Sequence, residues 1–283
     1  MTSFKAACVQ MRSGRSVARN VDDAEALIRA AAAAGAGYVL TPEMTTILDR
    51  DKAALLAAIG PEEIDLSLQR FREIARELGI HLHIGSMAIK LGDDHIANRS
   101  FLIAPNGSVV GRYDKIHMFD VDLSGGESYR ESATYRPGET AVVADLPWTK
   151  LGLTICYDVR FPALHRTLAK AGAAVLAVPA AFTKKTGEAH WHVLLRSRAI
   201  ETGSYVVAAA QAGHHEDGRD TYGHSMIIDP WGKILAEADD QPGFIIAEID
   251  PAFSASARQA IPALANARDF ALPEMPQVGS FVI

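Results

Sequence analysis

Strand-forming and helix-forming stretches alternate along this chain, and they do so twice in the same order. That order is strand, helix, strand, helix, strand, hairpin. In the first half, Phe4–Gln10 reads as a buried strand and Val17–Ala34 as a helix with Val21, Ala24, Leu27, Ile28 and Ala31 on one face. Tyr38–Thr41 is the next strand, Glu62–Leu78 a helix closed by Gly79, and Ile80–Lys90 a strand. Ser100–Ala104 and Ser108–Arg112 form a hairpin around Pro105-Asn106-Gly107, where Asn-Gly is a strong turn signal. In the second half, Leu151, Leu153 and Ile155 alternate with Gly152 and Thr154 as in a strand, and Pro162 opens a helix to Ala171. Ala173–Val178, Glu188–Glu201 and Ser204–Gln211 then read as strand, helix and strand. Ser225–Asp229 and Lys233–Glu237 form the matching hairpin around Pro230-Trp231-Gly232, and Phe244–Asp250 is a last strand.

Strands alternating with helices predict the α/β class, and the hairpins add antiparallel edges, giving mixed sheets. Two matching halves predict two sheets packed face to face with helices outside. No Pro/Gly/Ser linker divides the halves, so residues 1–260 read as one domain. From Ile261 to Ile283 the chain is rich in proline and alanine and is expected to form an extended tail at a subunit interface. The polar, glycine-rich stretch Asp120–Glu139 is expected to be a long functional loop.

Composition narrows the function. A net charge of −6 and the lack of any basic run argue against a nucleic-acid partner. The longest small apolar run, Ala30–Ala34, is far too short to cross a membrane. The N-terminus runs straight into a strand without a signal-peptide pattern, and two cysteines in 283 residues make a poor disulfide framework. A cytoplasmic setting is therefore expected.

Three ionisable residues sit where chemistry can use them. Cys156 lies where a strand stops just before a helix starts, a place that projects a small side chain beside free backbone N–H groups. Taken alone it fits a nucleophile or a buried core cysteine equally well. Glu43 follows the strand Tyr38–Thr41, at the end where sites gather in α/β sheets, and Lys115 follows the first hairpin. Taken alone, each also fits a solvated surface charge.

Together these residues carry a resemblance. Pro42-Glu43, Tyr113-Asp114-Lys115-Ile116-His117 and Ile155-Cys156-Tyr157-Asp158 resemble the three ordered signatures of the nitrilase superfamily, the carbon–nitrogen hydrolases. Flanking matches at Gly187–Trp191, Arg196–Glu201 and Tyr222–Trp231 extend the resemblance over nearly the whole chain. It implies a four-layer α-β-β-α sandwich, assembly into homodimers or higher oligomers, a Glu43–Lys115–Cys156 triad, and no metal or other cofactor. Cys-Tyr-Asp resembles the amidase branches, nearest to deaminated glutathione amidase and ω-amidase, whereas true nitrilases place tryptophan and glutamate after the nucleophile. A second glutamate is implied in the loop after the lysine. Of Glu127, Glu131 and Glu139, Glu131 matches the pattern Glu-Ser before Pro-Gly.

The implied reaction cleaves the C–N bond of a small carboxylate-bearing linear amide to an acid and ammonia through a cysteine thioester. Deaminated glutathione or a 2-oxo-acid amide is the expected substrate. Lys115 and the Tyr157 backbone N–H would hold the oxyanion. Arg160, four residues after Cys156, is expected to grip the carboxylate, with Phe182, Thr183 and Thr186 lining the pocket. The rivals are an N-carbamoyl amide hydrolase, a non-catalytic scaffold on the same fold, and a metal hydrolase. The last is disfavoured by spacing: His214 and His215 point opposite ways on a strand, and His190 and His192 do not share a helix face.

Overall fold

The computed structural model describes residues 2–92, 95–122 and 128–271. The first sheet begins with β1 (Phe4–Gln10), β2 (Tyr38–Leu40), β3 (His81–Lys90), β4 (Ile96–Ile103) and β5 (Val109–Asp114). Two short strands, β6 (Asp120–Asp122) and β7 (Ser128–Arg130), pair with each other. The second sheet uses β8 (Val142–Asp145), β9 (Lys150–Leu153), β10 (Ala173–Ala177) and β11 (Tyr205–Ala208). A small hairpin, β12 (Ala212–His214) with β13 (Asp220–Tyr222), precedes β14 (Met226–Ile228), β15 (Ile234–Glu237) and β16 (Gly243–Ile249). The helices are α1 (Val17–Ala33), α2 (Lys52–Ala58), α3 (Leu66–Leu78), α4 (Pro162–Lys170), α5 (Lys184–Thr202) and α6 (Pro251–Ala260).

The two sheets repeat one plan. Their orders are β16-β1-β2-β3-β4-β5 and β15-β14-β11-β10-β9-β8. Each has three parallel strands in the middle, a hairpin on one side and one antiparallel strand on the other. The alternation along β1 fixes the layering. Ala6 and Cys8 join Leu40, Leu153, Val175 and Val207 between the sheets, while Ala7 and Val9 pack with Ala24, Ile28, Phe71 and Ile74 of α1 and α3. On the far side α4 and α5 cover the second sheet with Leu164, Leu168, Leu195 and Ala199. The four-layer α-β-β-α sandwich is therefore the observed architecture. Each fully buried leucine or valine in it contributes roughly 1.5–3 kcal/mol.

Several element boundaries differ from the sequence reading, each for a local reason. The helix expected over Glu62–Leu78 breaks at Asp65, whose carboxylate caps the Leu68 N–H and starts α3 there. α5 begins four residues before Glu188, because Gly187 is not a breaker: a Cβ there would lie 2.3 Å from Tyr222, so glycine permits close packing. α2 and α6 had no expectation; both are short, alanine-rich and capped by Asp51 and Asp250. The stretch Asp120–Glu139 is not structureless, since it holds β6, β7 and a 3-10 turn over Glu131–Ala133. Its polar residues bond one another, as Arg130 does Asp122, and such pairing leaves no apolar periodicity to read. Of the tail beyond Ile261, residues 272–283 lie outside the described residues.

The parallel strands of both sheets point their C-terminal ends at one region. After β2 the chain turns through Pro42-Glu43-Met44, and after β10 through Pro179–Phe182. Gly85 of β3 lies beneath this meeting point, where a Cβ would stand 2.1 Å from the Thr41 carbonyl, 2.6 Å from that of Pro42 and 2.5 Å from the Pro179 side chain. Gly85→Ala is therefore expected to cost about 1–3 kcal/mol by overpacking against backbone that has no room to move. Urea unfolding measures this, and a midpoint equal to that of the unsubstituted chain would show that the close approach is not tight.

Candidate active site

Each carboxylate, ammonium and thiol of interest is brought in by a strand end. Glu43 stands two residues past Thr41, on a turn whose Met44 has φ +55°. Thr45 Oγ1 donates to the Pro42 carbonyl, and Gln211 Nε2 donates to the Glu43 and Met44 carbonyls. Lys115 directly follows β5, with its N–H on the Asn98 carbonyl and its own carbonyl accepting from Gly138. Cys156 opens a 3-10 turn after β9 at φ +48°, with its N–H donated to the Pro179 carbonyl. A left-handed backbone is uncommon outside glycine. Two of the three such non-glycine residues among the described residues are Met44 and Cys156, and strain of this kind costs of order 1–3 kcal/mol each.

These elements close around one buried ammonium. Lys115 Nζ donates to Glu43 Oε1 at 2.9 Å and to both oxygens of Glu131 at 3.0 and 2.8 Å. Lys115 is 2 % exposed. Glu43 Oε2 accepts the Ala181 N–H at 2.8 Å, and the Cys156 thiol faces the same cavity as this carboxylate, whose charge bears on it. Asn98 Nδ2 reaches both glutamates, at 2.9 and 3.3 Å. Glu131 Oε2 also accepts the Phe119 N–H. Of the other loop glutamates, Glu139 is exposed and Glu127 lies outside the described residues.

The charge states follow. Burial alone would raise the Glu43 carboxyl, but the charge and hydrogen bond of Lys115 outweigh it and hold the group below its ordinary value. Burial alone would lower Lys115, and the charges of Glu131 and Glu43 reverse that and raise it well above its ordinary value. Cys156 is pushed well up by burial and by the Glu43 charge, against the pull of Lys115. At neutral pH the site therefore rests as carboxylate, ammonium and neutral thiol. Cys8, sealed between the sheets, is raised by burial, and its Sγ lies 3.7 Å from the Met226 carbonyl.

Asp158, buried within the Cys156 turn, binds the turn to the lysine segment. Its Oδ2 accepts the Ile155 N–H and the Tyr113 hydroxyl, and its Oδ1 accepts the His117 N–H and lies 2.7 Å from His117 Nδ1. Asp158 is thus engaged with the lysine segment rather than with Arg160. Sequence reasoning had no role for Asn98 and read Asp158 only as part of the cysteine motif or as an ion-pair partner for a structural Arg160, although a polar residue inside the apolar strand Ile96–Ile103 was an available signal.

A cavity of about 300 Å³ opens onto this group and is lined by Glu43, Lys115, Glu131, Cys156 and Tyr157. Phe182, Thr183 and Thr186 line it as well, Thr183 before α5 and Thr186 in its first turn, with their hydroxyls 2.7 Å apart. Arg160 is not in the cavity lining. Its guanidinium lies over the rings of Tyr157 and Phe182, and its Nη1 is 3.3 Å from His190 Nδ1. The basic side chains at the cavity besides Lys115 are Arg50, Lys52, Arg130 and Arg219. His214 is exposed and His215 buried, while His192 and His224 converge on Glu237 outside the cavity lining, at 2.8 and 3.0 Å.

An α-β-β-α sandwich that closes a glutamate, a lysine and a cysteine into one cavity has the build of a carbon–nitrogen bond hydrolase. The family model described as carbon-nitrogen hydrolase matches residues 5–259, and the chain belongs to this family. It is 43% identical over 271 residues to a protein of Synechocystis named deaminated glutathione amidase, covering 93% of this chain and 98% of that one. The NitFhit protein of C. elegans superposes with a TM-score of 0.87 at 35% identity, over 94% of this chain and 65% of that longer one. Nit3 of Saccharomyces cerevisiae, a member of branch 10 of the nitrilase superfamily, gives a TM-score of 0.83 at 32% identity, over 92% and 94% of the two chains. The chain is an amidase of the nitrilase superfamily. Among the described residues, no helix is long and apolar enough to cross a membrane.

Asp158→Ala would strip two buried donors, the Ile155 N–H and the Tyr113 hydroxyl, and the part-buried His117 N–H of their acceptor at once. The expected loss is about 3 kcal/mol or more, since each unsatisfied buried group costs about 1–3 kcal/mol. Chemical denaturation reads it directly, and a loss below about 1 kcal/mol, the cost of a single such group, would mean that Asp158 is not what joins the two segments.

Proposed function

We propose that this amidase cleaves a small linear amide that carries a carboxylate, through a thioester on Cys156, and that its substrates are deaminated glutathione or related 2-oxo-acid amides. The observation that carries the reading is the Lys115 ammonium bridging Glu43 and Glu131 beside the Cys156 thiol inside one cavity. The likeness to the Synechocystis protein supports the substrate class.

The reaction follows from the resting charges. Glu43 takes the thiol proton as sulfur attacks the amide carbon, so no free thiolate has to be stored in the buried site. An ammonium has three donors, and at rest Lys115 gives one to Glu43 and two to Glu131; as charge builds on the substrate oxygen, one of the two given to Glu131 turns to the oxyanion, which the Tyr157 backbone N–H also serves. Glu131 holds Lys115 in place by accepting with both oxygens. When the tetrahedral species collapses, Glu43 returns the proton to the departing nitrogen. A primary amide then releases ammonia. Glutathione has secondary amide nitrogens, so its deaminated form releases an amine by the same step. Water, deprotonated by Glu43, attacks the thioester carbon; the acid leaves and the thiol is restored with its proton. Homo-oligomeric assembly and a cytoplasmic setting belong to the same reading, and light scattering of the purified chain checks the first.

Four measurements test this. Product release across deaminated glutathione, 2-oxo-acid amides and N-carbamoyl amino acids should favour the first two; carbon dioxide released from the last group at a higher rate would move the substrate to the carbamoyl class. Iodoacetamide should label Cys156 and abolish turnover while Cys8 stays unmodified, and activity that survives full labelling of Cys156 would sink the thioester. Lys115→Arg should lose roughly 10²–10³ in kcat, as removal of an oxyanion donor does, because a planar guanidinium cannot place one compact charge there. The pH profile has a defined sign. Glu43 is held below its ordinary value, so kcat/KM should fall only as pH drops through that lowered value. Lys115 and Cys156 are both raised, so no inflection is expected near the ordinary thiol value of 9.0. A rate that climbs through that region would show that a free thiolate is the attacking species.

A further inference from the structure

We propose that His192, His224 and Glu237 form a structural site for one zinc-type divalent metal ion, where α5 meets the β14–β15 hairpin. The three side chains come from three places in the fold. His192 stands on α5, His224 lies two residues before β14, and Glu237 ends β15. One ligand atom from each lies within 4.8 Å of the others. Both rings meet the same carboxylate oxygen: His192 Nε2 is 2.8 Å and His224 Nδ1 3.0 Å from Glu237 Oε1. Among the described residues, Glu237 has no lysine or arginine partner, so no side-chain ammonium or guanidinium already fills the place of an ion.

The spacing suits a metal. Ligand atoms at about 2.0–2.1 Å from a tetrahedral zinc stand about 3.3 Å from one another. The two nitrogen-to-oxygen distances open by about 0.3–0.5 Å to reach this, a change that small side-chain rotations supply. The donor set selects the ion. Two imidazoles and one carboxylate suit zinc and its transition-metal neighbours, whereas calcium and magnesium take oxygen ligands. Three protein ligands leave a position for water. The side chains of His192, His224 and Glu237 are 33, 29 and 32 % exposed, which leaves an entry path while shielding most of each group.

The ligands are held before any ion arrives. The His224 N–H donates to the Asp239 carbonyl at 3.1 Å, and its own carbonyl accepts the Trp191 indole N–H at 2.8 Å. Trp191 precedes His192, so that indole bond ties the backbone of one histidine to the neighbour of the other. The His224 ring stacks on Tyr222 with centroids 4.3 Å apart. Its φ is +54°, which makes it the third left-handed non-glycine residue beside Met44 and Cys156. Such a conformation persists only where the surroundings over-determine it. Glu237 is fixed opposite Met226 in the β14–β15 ladder. Ligands placed in this way lose little freedom on binding.

The ion has a structural role. None of the three ligands lines the catalytic cavity. It would fasten α5, whose first turn brings Thr186 to the cavity wall, to the edge hairpin of the second sheet.

Calorimetric titration of the tag-free, chelator-stripped chain with zinc chloride tests this. One equivalent should bind per chain, and one should still bind after iodoacetamide has alkylated Cys156 and removed the thiol as a rival ligand. His192→Gln and Glu237→Gln should each lower affinity about a hundredfold or more, since losing even a supporting partner costs about 10–100-fold. His224→Asn should do the same, and asparagine tolerates the left-handed backbone, so the fold is kept. His214→Gln, at an exposed His214–Asp220 pair on another hairpin, should leave affinity unchanged. Zinc should raise the thermal midpoint of the unsubstituted chain and not that of the three ligand variants. Amide turnover should be the same before and after chelation. Absence of zinc binding, loss of binding on alkylation, or unchanged affinity in the three ligand variants overturns the site, and turnover that disappears on chelation overturns its structural role.

Discussion

A lysine ammonium buried almost completely cannot stand alone. Removing such a charge from water costs several kcal/mol even after relaxation, and only close opposite charges repay it. Lys115 is repaid by Glu43 from the first sheet and by Glu131 from the segment after β7. Glu43, itself buried, would not be stable as an anion without Lys115. The three groups therefore constrain one another, and with them the chain segments that deliver them.

The same dependence explains the polar residues placed around the triad. Gln211, just beyond the second sheet, holds the backbone of the Glu43 turn in the first. Asp158 ties the cysteine turn to the lysine segment, and Asn98 reaches both glutamates. Buried networks of this sort are stable only when nearly every member is satisfied. Here they cross from sheet to sheet, so the relative position of the sheets is set by directional bonds as well as by the apolar layer between them. The left-handed backbones of Met44 and Cys156 are tolerated for the same reason: the surrounding bonds over-determine them.

Much of this was legible in the sequence because it lies in periodic or ordered signals. The alternation in Phe4–Gln10 and Leu151–Ile155 and the amphipathic face of Val17–Ala33 gave the layers, and three short motifs located Glu43, Lys115 and Cys156. Glu131 was found from its neighbours, not from any periodicity. What escaped has a common cause. Helices α2 and α6 are short, and their starts depend on Asp51 and Asp250 caps more than on a repeating face. Asn98 and Asp158 work through contacts tens of residues away, which spacing cannot reveal. Arg160 was singled out by its nearness to Cys156 along the chain, and its guanidinium lies over the ring of Phe182, which lines the cavity.

The pairing of β16 with β1 has a consequence for synthesis. All seven residues of β1 find their outer partners in Gly243–Ile249, near the other end of the chain. While the protein emerges from a ribosome, that edge of the first sheet has no partner until nearly everything else has been made. An open strand edge with an apolar face is a template for pairing between molecules. A product cut short before β16 would therefore carry Glu43, Lys115 and Cys156 and still present an open strand edge, so the arrival of β16, more than the assembly of the active site, closes the first sheet.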